Sequence, residues 1–323
     1  MVSLSCCDYL SIEHQRRLGF SLTDGLPYGH YARKNLGYLY AIKHGARFIY
    51  ETDDDNRPLD GLQGFILTPQ TPGLFYDGGQ VFNPYRHFGQ STVWPRGFPL
   101  SAIGKQQAQF YKLGSRWDAP LIQQGIVNGD PDVDDIFRLS RKPDSTRLNV
   151  TFDPAAPPVM WGEGVFSPFN SQNTLFHRDA FWALFIPTTT TFRGLRHLAG
   201  VLGPEAVWEV GGRLAFFPAN AFQLRNFYSY LDDAKDEKDM YFQTERLIRF
   251  LTNWSCDKKF SFFQCATEKL GKHFTFVEAS VKSGYVGYLW AIKAMEMGYR
   301  VKGYLIAGDD TTGIGGVYLM EEW

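Results

Sequence analysis

The stretch RKNLGYLYAIKHGARFIYETDDDN, residues 33–56, carries a helix, a stop, a strand and an acidic loop in that order. Leu36, Leu39, Tyr40 and Lys43 fall at i, i+3, i+4 and i+7, the spacing of one helix face. Gly45 follows where a left-handed residue commonly closes a helix. Residues 47–51, RFIYE, read as a short strand, and residues 52–56, TDDDN, as the loop after it. Helix, cap, strand and loop make half of a crossover unit, so the expected fold class is α/β.

Asp53, Asp54 and Asp55 are adjacent carboxylates that repel one another. A divalent cation relieves that repulsion, and hard oxygen ligands suit Mg²⁺ or Mn²⁺. Ligands of open α/β sheets bind beyond the carboxyl ends of strands, where RFIYE delivers this run. Such a cation takes one or two carboxylates plus phosphate oxygens, so an Asp-x-Asp pair sharing it with a diphosphate fits. The alternative is a solvated acidic turn. Arg33 and Lys34 open the preceding helix, where cations oppose the dipole unless an anion is bound; ordinary exposed side chains are the alternative.

Further candidates follow along the chain. Arg96 lies in WPRGFP, where Pro95 and Gly97 fix the backbone and a guanidinium fork suits phosphate or a structural carboxylate equally. Trp94, Phe98 and His87 offer walls for a base or sugar. Asp130, Asp132, Asp134 and Asp135 stand in NGDPDVDD, and Asp134 or Asp135 reads as the cap of the next helix. Glu209, between Trp208 and a glycine pair, reads either as a general base or as a buried structural carboxylate.

Elsewhere, helices are expected over 8–18, 194–202, 240–253 and 260–270, and a strand running into a helix over 174–186. A strand, polar turn and short helix are expected over 122–142, and a turn into a strand over 207–218. Residues 59–121, rich in Gly, Pro and aromatics, read as irregular. The charged stretch 231–239 is the best boundary candidate. GYLYAIK at 37–43 returns as GYLWAIK at 287–293, each followed by an acidic pair, which suggests either chance or the start of a second unit of the same kind.

The 323-residue chain allows one large domain or two ordinary ones. Net charge is −1, without the basic surplus of a nucleic-acid binder. The four cysteines show no CxxC spacing, which argues against structural zinc. Apolar runs fall short of the ~20 residues that cross a bilayer, and no targeting pattern opens the chain. It is expected to be soluble or a piece of a longer anchored protein. Hydrolase nucleophile-elbow, P-loop and zincin motifs do not occur.

YARKNLGYLYAIKHGARFIYETDDDN (31–56), NPYRHFGQSTVWPRGFPL (83–100), QQGIVNGDPDVDDIF (123–137), FNSQNTLFHRDAFWALFIP (169–187) and VWEVGGRLAFFP (207–218) together resemble the STELLO glycosyltransferase-like family, over roughly residues 8–270. The resemblance implies a GT-A-like mixed sheet flanked by helices with a helical C-terminal part. The expected division is a GT-A-like domain over 1–235, whose first strand is absent or only partly kept at 2–7, a helical extension over 236–275 and, if the GYLYAIK echo is more than chance, a truncated second unit over 276–323. The resemblance implies Asp53 and Asp55 as Mn²⁺ or Mg²⁺ ligands, with Asp54, Arg33, Lys34, Asn35 and Arg96 at the donor and Glu209 or Asp134 at the acceptor. It further implies a nucleotide-sugar donor, UDP-sugar favoured, a glycan or protein acceptor, and a lumenal place in the Golgi, in some members beside a glycan-synthase complex. NGDPDVDD is also similar to a stretch of UDP-arabinopyranose mutase-like proteins. The remaining alternatives are a non-catalytic scaffold and a UDP-sugar mutase-like enzyme.

Overall fold

The computed structural model describes residues 8–20, 22–59, 64–67, 71–105, 110–141, 148–186, 188, 207–208, 211–225, 229–253 and 316–319. Helix α1, Ile12–Arg17, starts where Ser11 Oγ accepts the His14 N–H, so residues 8–10 of the expected helix lie before it. Helix α2, Lys34–Lys43, buries Leu36, Tyr38, Leu39, Ala41 and Ile42. It ends at Gly45, which takes φ 82°, a conformation that costs other residues about 1–2 kcal/mol. Strand β1, Phe48–Thr52, follows and is buried along its whole length.

The remaining strands are β2 (Asn56–Pro58), β3 (Thr71–Tyr76), β4 (Tyr111–Trp117), β5 (Ile122–Gly129), β6 (Val159–Trp161), β7 (Asn173–His177), β8 (Leu214–Gln223) and β9 (Gly316–Leu319). They form one mixed nine-stranded sheet in the order β4-β3-β6-β8-β5-β7-β1-β9, with β2 added to β8. Among the described strands, only the β3–β6 and β5–β8 pairs run parallel. The short helices α3 (Pro84–His87) and α4 (Asp135–Leu139) lie outside the sheet. This mixed sheet flanked by helices is the architecture the family resemblance implies.

Residues 59–121 depart from the expected irregularity, since β3, α3 and β4 lie there. Glycine hid the strand pattern. A Cβ on Gly73 would fall 2.2 Å from Cε2 of Trp117, and one on Gly114 would fall 2.4 Å from Cε2 of Phe75. The aromatic rings of neighbouring strands therefore fill the places where alternating side chains would be read. Residues 178–184 form a 3-10 helix directly after β7, the strand-into-helix order expected over 174–186. The charged stretch 231–239 is largely helical, within Tyr230–Asp236 and Lys238–Thr252, and Glu237 between those helices is fully buried. Of the expected second unit, only 316–319 is described, and those residues pair antiparallel with β1 in the same sheet. The partial strand at 2–7 and the helices at 194–202 and 260–270 lie outside the described residues.

Beneath β1, the Lys34 ammonium sits 2.8 Å from Glu51 Oε1, with both side chains almost wholly buried. Removing one member of such a pair leaves an unmatched charge in low dielectric, at about 3–5 kcal/mol. Lys34→Met is therefore expected to lower the urea midpoint sharply. Adding Glu51→Leu to it should recover most of the loss, a rescue that equilibrium unfolding of both variants would read.

Candidate functional site at the carboxyl edge of the sheet

β1 ends at Thr52, β5 at Gly129 and β8 at Gln223. Thr52 stands opposite Asn173 and Gly129 opposite Gln223, which gathers these ends on one edge. Gln172, just before β7, joins the two acidic runs there. Its backbone carbonyl accepts from the Asp53 N–H at 3.2 Å and from Asn56 Nδ2. Its Nε2 donates to Gln223 Oε1 at 2.6 Å and to the Asp130 carbonyl at 3.3 Å, while its Oε1 accepts the Asp132 N–H at 3.1 Å. Gln223 Nε2 in turn donates to Asp55 Oδ1 at 2.6 Å.

Asp53 and Asp55 are half-buried and Asp54 is exposed. Burial raises the Asp55 pKa first of all; the Gln223 hydrogen bond opposes that, and the charges of Asp53 and Asp54 add to it. The Arg225 charge also opposes the rise, but burial leads, so the ionised form of Asp55 carries a cost that a bound cation would offset. Among the described residues, no group of three or more His, Cys, Asp or Glu is arranged to hold a metal ion. Two carboxylates suit Mg²⁺ or Mn²⁺ when phosphate oxygens and water complete the shell.

Arg96, expected at a phosphate, is buried among carboxylates. Its Nε lies 2.9 Å from Asp132 Oδ1, its Nη1 lies 3.6 Å from Asp135 Oδ2, and Nη1 also meets Glu237. Arg138 reaches Asp130 at 2.6 Å and Asp135 at 3.7 Å, and Arg225 reaches Asp130 at 3.1 Å and Asp132 at 3.8 Å. Structural pairing, not an open anion site, is what the buried guanidinium of Arg96 supports. Asp134 caps α4: one oxygen accepts the Phe137 N–H at 2.8 Å and the other the Trp94 Nε1–H at 2.6 Å. Burial outweighs both hydrogen bonds and pushes its carboxyl up to about 6.

The helix-start trio, expected at the donor, makes contacts within the protein. Arg33 is buried, donates to Gln15 Oε1 at 2.6 Å and stacks over the Tyr28 ring. Lys34 is committed to Glu51. Asn35 brackets the Ile186 backbone, donating to its carbonyl at 2.9 Å and accepting its N–H at 3.1 Å. The reason is the short 3-10 turn Tyr31–Arg33, which feeds directly into α2 and packs its start inward. Glu209 lies outside the described residues. Sequence reading missed Gln172, Gln223, Arg138, Arg225 and Glu237. Only Arg138 had a local signal, its i+3 spacing from Asp135 at the start of α4.

A family model described as STELLO glycosyltransferases matches residues 207–276. The probable glycosyltransferase STELLO1 of Arabidopsis thaliana is 38% identical over 274 residues, which cover 81% of this chain and 35% of that protein. Its relative STELLO2, also from Arabidopsis thaliana, is 36% identical over 262 residues, covering 77% and 34%. The chain spans about a third of the length of these curated relatives.

Because the folded pKa of Asp134 lies above the ordinary carboxylate value near 3.9, the folded state binds its proton more tightly. This group's stabilising contribution is complete only below about pH 4 and is lost as pH rises through about 6, by roughly 3 kcal/mol in all. Asp134→Asn keeps a capping oxygen and removes the titration. The difference in urea midpoint between wild type and variant, followed from pH 4 to 7, should carry this slope.

Proposed function

The chain belongs to the STELLO-like glycosyltransferase family, and from that premise we propose that it forms part of a metal-dependent glycosyltransferase using a nucleotide-sugar donor. A UDP-sugar is the favoured donor and a glycan or protein hydroxyl the acceptor. The observation that carries this reading is the Asp53–Asp55 run beyond the carboxyl end of β1, half-buried, with Asp55 held by Gln223. Asp53 and Asp55 are the proposed ligands. Mn²⁺ or Mg²⁺ bound there would supply positive charge to the departing diphosphate.

The chain's own residues then have separate tasks. Gln223 fixes one Asp55 oxygen, and the other is the proposed contact to the cation. Asp54, exposed between the two ligands, stands nearest to solvent and to an arriving donor. Lys34 neutralises Glu51 behind the loop, while Asn35 holds the start of α2 in place. Arg33 and Arg96 support the fold around the donor from buried positions. Glu209 is the proposed base for the acceptor hydroxyl, since both oxygens of Asp134 already accept hydrogen bonds. A lumenal Golgi setting belongs to this proposal; no helix among the described residues is long and apolar enough to cross a membrane.

A second reading, a non-catalytic scaffold for a glycan-synthase complex, draws on a specific observation. Lys34 and Arg96, the cations expected at phosphate, are both neutralised by buried carboxylates. A fold kept for docking alone would retain those pairs equally well.

Calorimetric titration with UDP-sugars, with and without Mn²⁺, separates the two. Asp53→Ala/Asp55→Ala should abolish Mn²⁺-dependent binding, and Asp54→Ala should weaken it least. Gln223→Leu should reduce Mn²⁺ affinity roughly 10–100-fold, as loss of a ligand-orienting partner does. Unchanged binding in the double alanine variant would sink the metal assignment. An absence of donor binding in wild type, with capture of a synthase complex intact, would favour the scaffold.

A further inference from the structure

Residues 148–152 run extended beside the end of β5. Val150 exchanges two backbone hydrogen bonds with Gly129, each 2.8 Å. The Leu148 N–H donates to Asp130 Oδ2 at 3.2 Å, and the Phe152 N–H donates to Asn128 Oδ1 at 2.9 Å. Every second residue is thus tied inward, and Phe152 is fully buried. The residues between them, Asn149 and Thr151, are exposed. Side chains at i and i+2 of an extended chain share a face, so one amide and one hydroxyl stand side by side toward solvent.

Asn149-Val150-Thr151 is an Asn-x-Thr triplet with no proline in its centre, the acceptor pattern for N-linked glycan. We propose that Asn149 carries an N-linked oligosaccharide. The proposal rests on the lumenal setting put forward above. In the transfer, Asn149 Nδ2 forms a bond to the anomeric carbon of a lipid-diphosphate-linked oligosaccharide. The bond from that carbon to the diphosphate oxygen breaks, the lipid diphosphate leaves, and the amide proton passes to a base of the transferring enzyme. The fold accommodates the product because the Asn149 side chain is exposed and is not among the groups that seat this strand on Gly129, Asp130, Asn128 and, through the Thr151 carbonyl, Gln90.

A second triplet, Asn253-Trp254-Ser255, makes a useful contrast. Asn253 is exposed, but its Nδ2 already donates to the Arg249 carbonyl at 2.7 Å at the end of its helix. Asn149 is assigned because its amide and the Thr151 side chain are both exposed, whereas the Asn253 amide is engaged at its helix end.

The test uses the protein expressed from its full natural coding sequence in eukaryotic cells. Treatment with a peptide N-glycosidase should shift its electrophoretic band downward. Asn149→Gln and Thr151→Ala should each abolish the shift, Thr151→Ser should keep it, and Asn253→Gln should leave it unchanged. A shift that survives Asn149→Gln, or no shift in wild type, overturns the assignment. Protease protection of the domain in sealed microsomes separates the two failures. A protected yet unmodified domain refutes only the glycan, whereas an unprotected one refutes the lumenal setting and the glycan together. Both exposed positions can be changed without disturbing the fold, which an unaltered thermal midpoint would verify.

Discussion

Arg96, Arg138 and Arg225 share one buried cluster with Asp130, Asp132, Asp135 and Glu237. None of these charges could be buried alone, because desolvation of an unpaired ion costs several kcal/mol. The cluster therefore forms only when distant segments arrive together: the loop carrying Arg96, the turn after β5, the residue just past β8, and the junction between the last two described helices. Glu237 also accepts the Asp135 N–H at 3.0 Å and meets Tyr241, so the helical C-terminal part is fastened to the sheet through the same charges. The dense aromatic core lends this polar assembly a water-poor setting. Trp94, for example, packs edge-on against Phe137 with centroids 4.8 Å apart while its ring N–H caps onto Asp134.

The link from this cluster to the Asp53–Asp55 run is built from neutral groups. Gln172 and Gln223 present an amide donor and an acceptor each, which lets them tie one acidic loop to another without bringing a further charge. An arginine in place of Gln223 would quench Asp55, and a carboxylate would repel it. The amide holds its position and leaves the loop's negative charge largely intact. A site that must attract a cation needs such a support, since a ligand satisfied by the protein has little left to offer an ion.

How much was legible follows from how local each signal is. The helix, its Gly45 stop, β1 and the acidic loop were readable because all four lie within one short stretch with clear period and cap. Asp134 as a helix cap was readable for the same reason. Arg96 was not, because its partners sit far away in sequence and an Arg fork looks alike whether it meets phosphate or carboxylate. Gln172 and Gln223 gave no signal, as a lone glutamine at a strand end has no pattern of its own. The strands β3 and β4 were hidden by Gly73 and Gly114, whose space is filled by rings from the neighbouring strand. The Glu51 partner of Lys34 was not readable, because charge at a helix start suggests an anion and only the fold places Glu51 beneath it.

β1 pairs on one side with β7 and on the other with β9, placing Ile49 opposite Leu319. The strand that carries the acidic loop therefore borrows a neighbour from far downstream. On a ribosome adding roughly 5–20 residues each second, β1 emerges early and waits on the order of tens of seconds for residues 316–319. During that interval one edge of a strand that is buried throughout in the finished fold has no ladder partner, a condition that favours mispairing with other chains. Newly made copies of this protein should accordingly depend on chaperone holding until β9 has been synthesised, and shortening the chain upstream of residue 316 would make that exposure permanent.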